Sequence, residues 1–461
     1  MKVLLLTPPS YHGGEIRNYM PPLGISYLAS VLIDNGYEVK IVDFYDEKLW
    51  KNKRKIIQDY KPDIVGISCM TTNFPQAVKI GKIARELNVP LIVYGGPHAS
   101  GAPQSPLVSG YGDISVIGYG EYTLVKICDN FLKNKDFSNI PSIAYKNKNG
   151  EIIINPPDKN AFDLDLIPFP ARDLLDMKHY NVFIDSPIYG KIDCNTMVAS
   201  RGCSYQCIFC SSKPFGKWIG RSPKNVCDEI EEIFDKYPQE GIYFNDLLFN
   251  MDESWVIVLC EEMIRRKINK YKWLTNGRVT LVSHEMMKLL KEAGCILIAF
   301  GVEAINEEAL KFINKKQNLE QIEQALKLSS EYEITPMANI IIGLPGQTEE
   351  SLKQDLNMFE KWIIKYKFYP GGFYPLMVYP GTKLYRNNPQ YHNHNWIDRV
   401  TPNYTWPNIP IYETNISKEK ILELSNYLNN CCRELLAKYY PIFMTKEKIT
   451  DITKEPPYEK D

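Results

Sequence analysis

Between Ser200 and Cys210 the chain reads SRGCSYQCIFC, which sets Cys203, Cys207 and Cys210 in a C-x3-C-x2-C array. Three thiolates on so short a loop reach three corners of an iron–sulfur cube and leave the fourth iron open to a chelating ligand, whereas a structural zinc site closes on four protein ligands. An open iron is a place for chemistry. The same thiols could also hold a structural zinc or lie buried without metal, and only context separates these readings. Cys194 precedes the array, and the other seven of the eleven cysteines are scattered, with Cys227, Cys260, Cys295, Cys431 and Cys432 in helical or apolar contexts that suit core thiols.

The array begins where the apolar run TMVAS ends, and a series of strand-like and helix-like segments follows it. A helix from Pro223 to Lys236, GIYFND, a helix from Ser254, KWLTNG, a helix from Ser283, ILIAFGVE, a helix from Leu319, PMANIIIGL, a helix from Glu349 and GGFYPLMVY complete the series. This pattern predicts about six βα units, a partial (β/α)6 TIM-type barrel rather than a full eight-unit one, with the cysteine loop at the carboxyl end of a strand where barrels keep catalytic groups.

Upstream, VLLL, EVKIVDF, IVGISC, PLIVYGG and ISVIGYG alternate with helical stretches. Continuous apolar runs of this kind predict a Rossmann-like, flavodoxin-like α/β domain whose parallel sheet is buried on both faces, with Gly95-Gly96 and Gly118 to Gly120 in its ligand-facing loops. The expected boundaries are residues 1–145 for this domain, 146–192 for a linker that opens on what looks like a polar hairpin in KNKNGEIIINPPDKN and continues proline-rich, 193–386 for the partial barrel, and 387–461 for a small, mostly helical C-terminal domain. That last part opens on the aromatic stretch from Tyr391 to Tyr412 and continues in a helix capped by Ser417 with Glu419 in its first turn. Trp396, Tyr404 and Trp406 could line a roof over the site or simply pack against one another; His392 and His394 read as surface residues, and His12 has no clear role.

The 54 basic and 55 acidic residues leave a formal charge of -1, which gives a nucleic acid no electrostatic footprint to bind. The opening MKVLLLTPPS is too short and too soon broken by proline for a secretory signal or a membrane span, so the expectation is a cytoplasmic protein with no integral membrane segment.

With Phe209 ahead of its third cysteine, the array resembles the signature of radical S-adenosylmethionine (SAM) enzymes. In that family the unique iron of a [4Fe–4S] cluster chelates SAM and fragments it to a 5′-deoxyadenosyl radical. The resemblance implies SAM-binding roles for Phe209, for Asp246 in FND near the methionine amino group, for Arg278 in TNGR near the carboxylate, for Glu303 in GVEA at the ribose, and for Ile341 and Gly343 in NIIIGLPGQT at the adenine. Many relatives carry two acidic residues where this chain has Asn245-Asp246. YPGT, from Tyr379 to Thr382, resembles the usual end of the catalytic domain.

The front third is similar to the cobalamin-binding domain of a large subgroup, through PPLGISYLASVL, DIVGISC, GGPHAS and GYGE. The resemblance covers about four-fifths of the chain and implies that Pro9, Leu23, Gly24, Ser68, Thr71, Thr72, Asn73, Gly95, Gly96, Pro97, His98, Gly118, Gly120 and Glu121 contact a corrin. No D-x-H-x-x-G is present, so His98 reads as a rim residue rather than a cobalt ligand, and the loop Cys69 to Phe74 is where a residue would lie against the lower face. With only Cys69 and Cys128 in the front domain, a second cluster of the methylthiotransferase kind is not supported.

The implied reaction is that of a class B methylase-like enzyme, methylation of an unactivated carbon. One SAM methylates cob(I)alamin, a second yields the deoxyadenosyl radical, and the substrate radical collects the methyl group from methylcobalamin. A flavodoxin or ferredoxin would supply electrons, and a small molecule, lipid or peptide would be the substrate. Two alternatives stay open: a radical cyclase or carbon–carbon bond-forming enzyme without methyl transfer, and a radical SAM enzyme whose front domain is a cofactor-free docking module.

Overall fold

The computed structural model describes residues 1–12, 15–16, 20–158, 163–180, 182–392, 396, 410–412 and 414–441. The chain divides into two compact units, one built from Met1–Tyr180 with the segment that begins at Tyr379, the other from Asn181–Val378 with the segment that begins at Pro410.

The first unit is a seven-stranded sheet of β1 (Lys2–Thr7), β2 (Glu38–Asp43), β3 (Ile64–Ser68), β4 (Leu91–Gly95), β5 (Ile114–Val116), β6 (Ile143–Lys146) and β7 (Ile152–Ile154), in the order β2-β1-β3-β4-β5-β6-β7. The first five strands of that order run parallel, β6 runs antiparallel to β5, and β7 antiparallel to β6. Alternation along each parallel strand splits the apolar residues between two cores. Leu4, Leu6, Val65, Ile67, Ile92 and Tyr94 pack with Phe74, Ala77 and Ile80 of helix α2 (Phe74–Glu86) on one face. Val3, Leu5, Ile64, Val93 and Ile114 pack with Ile25, Ala29 and Leu32 of α1 (Leu23–Asp34) and Leu124 and Ile127 of α3 (Glu121–Lys133) on the other. Burial on both faces is why the strands read as unbroken apolar runs.

The second unit holds a seven-stranded sheet in simple sequential order: β8 (Val182–Ser186), β9 (Gly190–Met197), β10 (Gly241–Phe244), β11 (Lys272–Gly277), β12 (Cys295–Glu303), β13 (Thr335–Ile342) and β14 (Tyr369–Pro375). Edge strand β8 is antiparallel to β9, and β9 to β14 are all parallel, which are the six strands of the expected partial barrel. The intervening helices α4 (Pro223–Lys236), α5 (Glu253–Arg265), α6 (His284–Glu292), α7 (Leu319–Glu331) and α8 (Glu349–Tyr366), and then α9 (Lys418–Tyr439), each start at a side chain that accepts from the first turn. Those caps are Ser222, Asp252, Ser283, Asn318, Thr348 and Ser417. Among the described residues no helix is long and apolar enough to cross a membrane.

Three expected boundaries differ. Within 146–192 the expected polar hairpin forms, β7 pairing back on β6 in the first sheet, but Val182–Ser186 (β8) and the first three residues of β9, expected as linker, belong to the second sheet, because they find backbone partners there. The C-terminal part is not a separate domain, since Ser425 and Asn429 of α9 donate to the Phe373 carbonyl of β14, each at 2.8 Å. Tyr379–Thr382 does not close the barrel unit: it lies with the first unit, where a Cβ on Gly101 would meet the Pro380 carbonyl oxygen at 2.5 Å.

On α8, Asp355 is 6% exposed, its Oδ2 has no hydrogen-bond partner, and burial pushes its carboxyl up to about 7. With its folded value above its unfolded one, the native state keeps a proton the unfolded chain releases, so stability falls as pH rises from about 4 to about 7 and then levels. Asp355→Asn is therefore expected to flatten this slope and to raise the melting temperature at pH 8, by at most about 4 kcal/mol of stability. Thermal melts of both proteins at pH 5 and pH 8 check it; an equal melting temperature at pH 8 counts against the buried charge.

Candidate active site

The cysteine loop springs from the end of β9, and its root is held by buried charge. Asp246, just past β10, is 1% exposed, and its carboxylate accepts from the Ala199 N–H at 3.1 Å and from both the N–H and the hydroxyl of Ser200. Burial pushes this carboxyl up to about 6 against the pull of those donors and of Arg221. The Arg221 guanidinium, paired with buried Glu229, donates to the Val198 carbonyl at 2.8 Å, and its own N–H donates to the Ala199 carbonyl at 3.0 Å. Residues 198–200 are thus pinned from two sides. Gly202 follows with φ of 75°, and a Cβ there would stand 2.1 Å from the Lys217 carbonyl oxygen, so only glycine fits the turn into Cys203.

Cys203, Cys207 and Cys210 are all half-buried and free. The Cys203 N–H donates to the Gly216 carbonyl and the Ile208 N–H to the Ile313 carbonyl, both at 3.2 Å, and Asn314 Nδ2 donates to the Gln206 carbonyl at 3.3 Å. Burial pushes the Cys203 and Cys207 thiols up; Lys315 and Arg278 pull Cys207 back toward thiolate, the form a metal takes. Three thiols on one anchored loop, with two cations acting on them, suit a cluster that carries net negative charge.

The other expected SAM residues lie at the ends of the same strands. Arg278, 4% exposed, stacks its guanidinium over Tyr205 of the cysteine loop at 3.8 Å from the ring centre, and its Nε donates to Thr280 Oγ1 at 3.0 Å. Glu303 ends β12 with φ of 67°, after a register shift against β13, and its Oε1 meets Lys315 Nζ at 2.7 Å. Ile341 is half-buried at the end of β13, and Gly343, with φ of 90°, faces Ile421 of α9. Gln347 staples that turn, donating to the Ile341 carbonyl and accepting from the Leu344 N–H, both at 2.9 Å. Phe209 is half-buried within the loop. Asp246, expected near the methionine amino group, accepts three hydrogen bonds from the loop root and so also holds the strand end from which the cysteines follow.

In the first unit the expected corrin residues gather at the carboxyl edge of the parallel sheet, and hydrogen bonds knit their loops together. Asn73, buried, accepts from the Met70 N–H at 2.9 Å and donates to the Pro8 carbonyl, beside Pro9, at 3.3 Å. Thr71 Oγ1 meets His98 Nδ1 at 3.2 Å, and Thr72 is half-buried beside it. The Gly118 N–H donates to Ser100 Oγ at 2.9 Å. Gly96, with φ of 86°, comes so close to the loop after Ser68 that a Cβ would stand 2.8 Å from the Cys69 carbonyl oxygen. Around this knot Gly24 and Pro97 are exposed, Gly118 and Gly120 half-exposed, and Leu23 and Glu121 buried at the starts of α1 and α3. A Cβ on Gly24 or Gly95 would meet nothing within 4 Å, so the edge offers open space as well as backbone, which a bulky amide-fringed ring needs.

His98 is wholly buried, stacked on Phe74 at 3.9 Å and edge-on to Trp396 at 5.7 Å, and burial pushes its imidazole down to about 3. A neutral, enclosed ring of this kind supports the loop rather than reaching a metal. Trp396 packs on that histidine and on Tyr385 within the first unit, so it is a packing residue there; Tyr404, Trp406 and His394 lie outside the described residues, as does the side chain of His12. His392 is exposed with Nε2 at 2.9 Å from the Tyr385 carbonyl oxygen. Cys69, Cys128, Cys227, Cys260, Cys295 and Cys432 are buried thiols and Cys431 is half-buried.

Sequence reasoning passed over Ser200, Arg221, Gln347 and Lys315. Arg221 and Glu229 sit eight positions apart around a helix start, too far for a helical pair, and Lys315 lies in the polar run NKKQN, so neither carries a local signal.

Residues 197–359 match the Radical SAM superfamily and residues 11–127 the B12 binding domain. The chain is 29% identical to an uncharacterized methyltransferase of Pyrococcus horikoshii over 97% of its own length and 94% of that protein. It is 32% identical to the anaerobic magnesium-protoporphyrin IX monomethyl ester cyclase of Rubrivivax gelatinosus over 78% of its own length and 66% of the cyclase. In fold it resembles the cobalamin-dependent S-adenosylmethionine radical enzyme OxsB with aqua-cobalamin and S-adenosylmethionine bound, at a TM-score of 0.72 and 20% identity, over 92% of this chain and 66% of that one.

Proposed function

The chain belongs to the cobalamin-dependent radical SAM enzymes, and on that premise we propose that it is a methyltransferase that methylates an unactivated carbon of a small molecule, lipid or peptide. The observation that carries this reading is the pairing of an anchored three-cysteine loop at the carboxyl edge of one parallel sheet with an open, glycine-lined carboxyl edge on the other. When bound, the cluster, SAM and cobalamin supply the radical and the methyl group, and the protein supplies placement.

In this reading Cys203, Cys207 and Cys210 hold three irons, Asp246 and Arg221 fix the loop that presents them, and Phe209 packs beside it. Glu303 accepts from the ribose hydroxyls, Arg278 faces the methionine carboxylate, and the backbone from Ile341 to Gly343 meets the adenine. In the first unit, Pro9, Leu23, Gly24, Ser68, Thr71 to Asn73, Gly95 to His98, Gly118, Gly120 and Glu121 seat the corrin. A low-potential flavodoxin or ferredoxin would be the electron donor.

Anaerobic reconstitution tests the assignment. Iron, sulfide and equimolar cobalt are expected to co-purify, and SAM labelled in its methyl group should pass that label to a candidate acceptor. Absence of cobalt after cobalamin reconstitution overturns it. The identity to the cyclase favours one other reading, ring closure without methyl transfer, and a product that forms with no label would select it.

A further inference from the structure

The turn Ile313–Gln317 joins two parts of the site that the sequence keeps far apart. Its Ile313 carbonyl and Asn314 amide bond the backbone on either side of Cys207, at 3.2 and 3.3 Å. Its Gln317 amide donates to the Val302 and Gly301 carbonyls beside Glu303, at 2.7 and 3.3 Å. Asn314 and Lys316 hold left-handed backbone, with φ of 54° and 51°, which non-glycine residues keep only where their surroundings impose it. Between them Lys315 turns inward, 6% exposed, and sets its Nζ 2.7 Å from Glu303 Oε1. Gly301 makes room for it, since a Cβ there would stand 2.4 Å from that nitrogen.

We propose that Lys315 is a positioning residue that ties the nucleoside end of the site to the cluster loop, orienting the Glu303 carboxylate and lending positive charge to the cluster beside Cys207. This rests on Cys207 as a cluster ligand and Glu303 as a ribose ligand. A buried ammonium and carboxylate at hydrogen-bond distance hold each other in place, and a carboxylate stripped of that partner loses its orientation. A reduced cluster carries one more negative charge than the oxidised one, so a fixed cation nearby favours reduction.

The full chain, reconstituted anaerobically as wild type, Lys315→Met, Lys315→Arg and Glu303→Gln, provides the test. Iron content, the cluster midpoint potential from EPR-monitored titration, and SAM binding by equilibrium dialysis are the readouts. Lys315→Met is expected to lower the midpoint and to weaken SAM binding about tenfold or more, and Lys315→Arg to restore both toward wild type. Iron loading lost in Lys315→Met and recovered in Lys315→Arg also supports the proposal. Wild-type midpoint and affinity in Lys315→Met, or equal impairment in Met and Arg, overturns it. Glu303→Gln separates the readings: unchanged SAM affinity there removes the ribose role of Glu303, whereas the midpoint of Lys315→Met bears on the lysine alone.

Discussion

Cys207→Ala is expected to abolish formation of 5′-deoxyadenosine while leaving the fold intact. Two thiolates cannot hold a cube that needs three, and alanine offers no substitute ligand. The loop itself should persist, because its backbone on both sides of Cys207 is bonded to Ile313 and Asn314 and does not depend on the sulfur. A half-buried thiol contributes little to packing, so stability should change by no more than about 1 kcal/mol. The measurement is deoxyadenosine released from SAM under dithionite, alongside iron content and a thermal melt; Cys227→Ala, which removes a buried thiol of α4, should load iron normally and serves as the control. Wild-type deoxyadenosine yield from Cys207→Ala would remove the cluster assignment altogether.

Asp246→Ala is expected to have the next largest effect, for a different reason: it supplies no cluster ligand, yet the loop root depends on its carboxylate. Its loss strands three buried donors, the N–H groups of Ala199 and Ser200 and the Ser200 hydroxyl, and leaves Arg221 with one carboxylate fewer nearby. Charge-assisted bonds of this kind support a loss of about 3 kcal/mol or more, partly offset because burial already disfavours the carboxylate. Asp246→Asn should rescue only in part, since turning one oxygen toward Ser200 points the amide NH2 at the Ala199 N–H. Urea unfolding and iron content per folded chain decide the matter. An Asp246→Ala protein that unfolds at the wild-type midpoint and loads iron normally would show that the loop root holds without this anchor.

Helix starts, the two sheets and the cysteine array were all legible along the chain. Ser283, Leu319 and Glu349 mark helix starts as expected, because a cap acts within three residues of itself. The continuous runs VLLL and LIVY announce strands buried on both faces, because each residue of a central parallel strand meets a core whichever way it points. Composition misled where Val182–Ser186 was expected to be linker: so short an apolar run among polar and proline-rich residues is marked as a strand only by the backbone partners that the rest of the sheet supplies.

What the sequence determined by itself was therefore whatever depends on near neighbours: three thiols spaced to share one cluster, apolar runs that dictate the sheets, and glycines placed at turns only they can make. Tertiary structure alone decided which polar groups serve those thiols. Asp246 reaches Ser200 across 46 positions and Asn314 reaches Gln206 across 108. Parallel strands bring their carboxyl ends together however long the intervening helices are, so the residues gathered there are neighbours by topology and carry no mark of it in their spacing.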